Sequence, residues 1–167
     1  MAAIQFPVHN RFSGATQYVA ELDCDKAASD STKLGLAVRW GYKNGADLSE
    51  AYLGGADLSG ADLSGAYLSG ADLSGAKWSD DITIQREPLF LSGLAWPVII
   101  LDEHMQIGCE LHRLSEWAAF DERRIAGMAR GEAVRFWRAN KDALLALAAA
   151  DGRGVTPETA EASGEAA

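Results

Sequence analysis

From Ala46 to Asp80 the chain repeats a five-residue unit seven times without interruption: ADLSE, AYLGG, ADLSG, ADLSG, AYLSG, ADLSG and AKWSD. A period of five matches neither the 3.6-residue face of a helix nor the two-residue alternation of a strand. A chain with this period has to turn regularly, presenting one small and one large apolar residue per unit to an interior. The small one is Ala46, Ala51, Ala56, Ala61, Ala66, Ala71 and Ala76. The large one is Leu48, Leu53, Leu58, Leu63, Leu68, Leu73 and finally Trp78, which together form the expected structural core.

Alanine in every first position and Leu or Trp in every third make this run similar to the pentapeptide-repeat family, over 35 of the 167 residues. The resemblance implies a mainly β fold, a short right-handed quadrilateral β-helix. In such a solenoid each unit forms one side and four units form one coil. Coils stack at about 4.8 Å, so each residue pairs with the one twenty positions on: Leu48 with Leu68, Leu53 with Leu73, Leu58 with Trp78. A further unit would set Asp81 inward above Ala61. Burying an unpaired carboxylate is costly, so the regular coil is expected to stop near Asp80. The open ends of stacked backbone then need caps.

The flanks divide the chain into five expected segments. Residues 1–45 hold a hairpin and a capping helix, with strands at Ile4–Val8 and Ala15–Leu22 and a helix capped by Asp30 or Ser31 that runs to Lys43. Asn44-Gly45 suits a left-handed helix end. The repeats fill 46–80. Residues 81–114 are β-rich, with strands at Ile82–Gln85, Leu89–Leu91, Trp96–Leu101 and Met105–Gly108. Because the five-residue signal has vanished there, a small sheet packed with the N-terminal hairpin is favoured over an irregular extension of the coil. Residues 115–150 are helical: a turn with Trp117 and Phe120, a short helix capped by Asp121 and ending at Met128, and a longer one from Glu132 to Ala149. Residues 151–167 read as a disordered acidic tail.

The formal charge of −9 disfavours nucleic acid and anionic membrane as direct partners and favours a basic protein. No apolar run is long enough to span a membrane. The start lacks the features of a secretory signal, and two cysteines suit a reducing cytoplasm. No phosphate-binding, dinucleotide, zinc-protease or calcium motif is present, so no cofactor and no catalytic residue is expected. The repeated serines have no recurring base beside them. His104, Cys109 and His112 supply zinc-ligand chemistry but only half a site; the bland alternative is a strand-end cysteine and two ordinary imidazoles.

The acidic pattern carries the functional expectation. Asp47, Glu50, Asp57, Asp62 and Asp72 lie in a stretch without Lys or Arg and are the expected interaction residues. Some members of the family resembled present carboxylates as a mimic of duplex DNA and so occupy DNA-binding enzymes. The expected function is a non-enzymatic protein-interaction module, an acidic inhibitor or DNA mimic directed at a nucleic-acid-binding protein. A structural scaffold without mimicry is the alternative. Phe136, Trp137, Leu144, Leu145 and Leu147 spread over more than one helix face, which points to a homodimer unless the chain itself covers the second side.

Overall fold

The computed structural model describes residues 3–61, 63 and 65–154, with only the backbone of Arg130. Asp62, Ser64 and most of the expected tail lie outside the described residues. Eleven elements follow in the order β1 (Ile4–His9), β2 (Thr16–Leu22), α1 (Asp30–Lys43), β3 (Lys77–Ser79), β4 (Ile82–Thr83), β5 (Leu89–Leu91), β6 (Val98–Ile100), β7 (His104–Ile107), β8 (Glu110–Arg113), α2 (Leu114–Ala119) and α3 (Glu122–Ala150). The strands form three separate sheets, with orders β1-β2, β3-β4 and β5-β6-β7-β8.

This topology corrects the expected fold class. The protein is a small mixed α/β fold with discrete open sheets, not a mainly β quadrilateral β-helix, and the term solenoid goes with it. Helices of 14, 6 and 29 residues outweigh strands of which the longest has seven. Within the repeats the strand pairing shrinks to isolated parallel bridges, Tyr52 to Asp72 and Asp57 to Lys77. The cause is local. The fifth position of the first six units takes a left-handed conformation, Glu50 at φ 57°, Gly65 at φ 84°, and Gly55, Gly60, Gly70 and Gly75 all near φ 70°. That turn interrupts the extended backbone every five residues, so no continuous ladder forms.

The chain divides into two compact units, Met1–Asp102 with Gln106–Glu110 and Glu103–Met105 with Leu111–Ala167. In the first, backbone bonds join the first three repeats to those four units later: Glu50 N to Ser69 O; Leu53 N to Asp72 O, Gly55 N to Ser74 O and Asp72 N to Ala51 O; Leu58 N to Lys77 O and Lys77 N to Ala56 O. Leu48, Leu53, Leu58, Leu63, Leu68 and Leu73 are all at most 2% exposed. Each such burial stabilises the fold by about 1.5–3 kcal/mol. Trp78 is buried with its indole donating to Gln106 Oε1 at 3.0 Å. After it the chain reverses at Asp80-Asp81 into β4, which leaves both carboxylates in solvent.

Antiparallel β1 and β2 pair from Ile4↔Leu22 to His9↔Thr16, with an irregularity after Val8. What packs on this hairpin is α1, and the sheet of β5–β8 is separate from it, contrary to the expected union. The α1 cap is Ser29, whose Oγ accepts from Thr32 N at 3.1 Å, rather than Asp30 or Ser31. Asn44 ends the helix and Gly45 follows at φ 71°. α1 also seats on the repeats: Asp57 N donates to Ser31 O, Ser31 Oγ to Gly55 O, and the Arg39 guanidinium to Ser59 O. A Cβ on Gly35 would lie 1.8 Å from Asp57 O, so only glycine permits this approach.

In the second unit α2 starts at Leu114, and its Trp117 indole donates to Met105 O at 2.7 Å. Asp121 caps α3 by accepting from Arg124 N. The two expected helices fall within one element, Glu122 to Ala150, whose two arms fold back so that Arg138 reaches Glu122. Trp137, Phe136, Leu144 and Ala148 are buried, and Trp117 packs against Trp137 with centroids 5.0 Å apart and ring planes tilted by 43°. Trp137 thus has a neighbour in α2, whereas Leu147, named with it in the homodimer expectation, is 40% exposed. Of Asp151–Gly154, expected within the tail, Arg153 alone is buried, at 4% exposed, and it bonds Asp151 at 2.6 Å.

Candidate interaction surface

Three described repeats spend their polar pair on their own turn. Asp47 Oδ1 accepts from Ser49 N at 2.9 Å and from Ser49 Oγ at 2.6 Å. Asp72 does the same with Ser74, at 3.0 and 2.7 Å, and Asp57 accepts from Ser59 N at 3.2 Å. An aspartate bonded to the residue two positions on closes a turn without help from the ladder. Hydrogen bonds to the ionised form favour it. The Ser49 hydroxyl, then its amide, hold Asp47 below the usual carboxylate range. Ser59 does so for Asp57, with Lys77 and Arg39 adding a smaller pull. The Ser74 hydroxyl and amide do so for Asp72, aided by Arg11.

Glu50 is a different case. It occupies the left-handed fifth position at φ 57°, the one non-glycine residue with positive φ among those described. Its carbonyl accepts from Arg11 N at 2.8 Å, and its carboxylate accepts from Asn10 Nδ2 at 3.2 Å. Glu50 therefore ties the β1–β2 loop to the first repeat. Asp62, the fifth expected interaction residue, lies outside the described residues.

The expected carboxylates are thus held in turns and ties, whereas two aromatic rings in the same register are not. Tyr52 and Tyr67 stand in the second position, where the other units have Asp or Lys, and are 54% and 75% exposed. Tyr67 borders a cleft of about 160 Å³ lined by Leu68, Phe90, Leu91, Pro97 and Val98. A large ring with a polar tip, held on a rigid frame beside an apolar cleft, is suited to bury area against a partner at low entropic cost.

The three metal candidates do not form a cluster: among the described residues no group of three or more His, Cys, Asp or Glu is placed to hold a metal ion. His112 packs edge-on to Trp117 and Phe120 at 5.3 and 5.0 Å. His104 is pushed below its usual value, chiefly by burial and then by Arg113. Cys109 is exposed as a free thiol. No helix among the described residues is long and apolar enough to cross a membrane.

Sequence reasoning missed the turn-closing role of the Asp–Ser pair, although the two-residue spacing carries that signal in four of the seven units. It also passed over the second unit, AYLGG, which lacks both partners of that turn. Residues 44–77 match the family model described as pentapeptide repeats, in eight copies. No curated protein and no solved structure matches the chain.

Proposed function

We propose that the protein is a non-enzymatic protein-interaction module that recognises a protein partner through aromatic surface. The observation that carries this reading is Tyr67, 75% exposed at the edge of the apolar cleft formed with Phe90, Leu91, Pro97 and Val98. Tyrosine is enriched at interfaces because its ring buries apolar area while its hydroxyl finds a polar partner. The repeat match supports the same class of function. A cytoplasmic setting accords with two free thiols.

The finer expectation of an acidic inhibitor or DNA mimic draws support from the net charge of −9. Against it, Asp47, Asp57 and Asp72 bend back to serines, and Asp57 and Asp72 sit in the fields of cations. The partner is therefore read as one that engages shape and apolar surface, with direct contact to neither nucleic acid nor membrane. The test is affinity capture from extract of the source cell on immobilised wild type and on Tyr67→Asp, which restores the ADLSG unit. A protein retained by the first and lost by the second supports the reading. Retention that duplex DNA abolishes, unchanged by Tyr67→Asp, supports mimicry instead.

A further inference from the structure

We infer that the outer edge of β1 is a docking groove for an extended, apolar segment of a partner protein carrying a Lys or Arg. This rests on the interaction-module reading and gives that module a second contact site, apart from Tyr67.

The groove has a volume of about 270 Å³ and is lined by four consecutive β1 residues, Phe6, Pro7, Val8 and His9. Contact with four residues in a row means that the space borders the edge of the strand and not one of its faces, since side chains alternate. The opposite wall is the second repeat, at Tyr52, Gly54 and Gly55, and the floor is the start of α1 with Leu34. Ser31 bonds to Gly55 and Asp57 hold floor and wall together.

The edge is chemically open. Among the strands of the described residues, β1 pairs only with β2. His9 O turns away from β2 and accepts from Tyr52 N at 2.8 Å, and Asn10 bridges Ala51 in antiparallel sense. By the alternation of an antiparallel strand, Pro7 and Gln5 share the outward side with His9. Pro7 has no N–H to leave unpaired there. Among the described residues, the Gln5 amide and carbonyl and the Pro7 carbonyl make no backbone bond outside the hairpin. The repeat thus begins a strand pairing on this edge at His9 and does not continue it to Pro7 and Gln5, where the groove lies open to another chain.

The sequence marks the same place. Only the second repeat departs from the consensus at both polar positions, with Tyr52 for Asp and Gly54 for Ser. Those two changes remove the turn-closing pair and leave a wall with an aromatic ring and no side chain beyond it. The occupant follows from the lining and the charge. Phe6, Val8, Leu34 and the Tyr52 ring suit an apolar side chain. Asp30, among the lining residues, has a 97% exposed side chain that meets Lys33 Nζ at the long distance of 4.0 Å and so keeps room for a second cation, in a protein of net charge −9.

The test is selection of a random peptide display library on the full-length protein, followed by binding of the enriched peptides to Tyr52→Asp/Gly54→Ser. That variant rebuilds the ADLSG turn and so keeps the fold. The inference predicts peptides with an apolar residue next to Lys or Arg, at least a tenfold loss of affinity in the variant, and slowed hydrogen exchange at the Gln5 amide on binding. Equal binding by the variant, or unchanged exchange at Gln5, overturns the groove. Loss of the same peptides by Tyr67→Asp alone moves the contact to the other cleft, which overturns the groove and keeps the module. Failure to enrich any peptide overturns the groove, and only failure of cellular capture as well overturns the module.

Discussion

Arg138 and Glu122 lie sixteen positions apart in α3, yet Arg138 Nε and Nη2 donate to the two Glu122 carboxylate oxygens at 2.5 and 2.6 Å. In a straight helix that separation is roughly 24 Å, more than both side chains together reach. The axis of α3 therefore folds back between them. Gly127 and Gly131 are the residues in that interval that lack side chains, and glycines are recurrent sites of sharp bends. Lys141 Nζ bonding to Ala118 O places the second arm beside α2 in the same sense.

The fold-back is measurable by distance. Spin labels at Arg123→Cys and Ala139→Cys, with Cys24 and Cys109 replaced by Ser, leave the Glu122–Arg138 clamp intact. The expected separation is well short of the roughly 24 Å of a straight helix. A single population at the straight-helix distance would refute the bend.

Gly35→Ala is expected to loosen α1 from the repeats. Its Cβ would fall 1.8 Å from the Asp57 carbonyl oxygen, which is backbone and has no rotamer to yield. The cost should reach about 2 kcal/mol or more. Urea unfolding of this variant beside Gly127→Ala, whose Cβ meets nothing within 4 Å, provides the comparison. Equal midpoints would mean that α1 does not sit on Asp57.

Glu50→Gly is expected to stabilise the protein by about 0.5–1 kcal/mol. A non-glycine residue in the left-handed region costs about 1–2 kcal/mol, and the exposed bond from Asn10 returns only part of it. Thermal unfolding reads the sign directly. A lower melting temperature would show that the Glu50 side chain holds the β1–β2 loop more strongly than its backbone is strained.

Acid should act on the repeats through Asp47, Asp57 and Asp72. All three titrate lower when folded than the ordinary aspartate value of 3.8. The unfolded chain then binds more protons, so their contribution is complete above the unfolded value and is lost as pH falls through the folded ones. Ser49→Ala/Ser74→Ala removes two of the hydroxyl donors. The double variant is expected to be less stable at neutral pH and to lose less on acidification than wild type. Parallel stability curves from pH 7 to about pH 2 would detach these aspartates from the turns.

The elements that were legible in the sequence are those whose cause is local. The hairpin follows from two apolar runs about a Ser–Gly loop, α1 from its cap and its Asn44-Gly45 end, and the buried leucines from their period. The fold class was not legible, because the period shows which residues face inward and says nothing about how long backbone pairing persists; glycine turns every five residues cut it to single bridges. Ser29 was passed over because Asp30 and Ser31 are equally good caps by composition. β8 was missed since Glu110–Arg113 has no β-branched residue and is held by its neighbour strand. The Asp–Ser turns were not legible for a related reason. A carboxylate reads as free surface until the serine two positions on is seen to bond it.

The most direct measurement of the central claim is the affinity of the captured partner against ionic strength, for wild type and Tyr67→Asp. The account predicts a shallow salt dependence, at least a tenfold loss in the variant, and no competition by duplex DNA. A steep fall in affinity with salt, competition by DNA and full binding by Tyr67→Asp would contradict it and return recognition to the carboxylates.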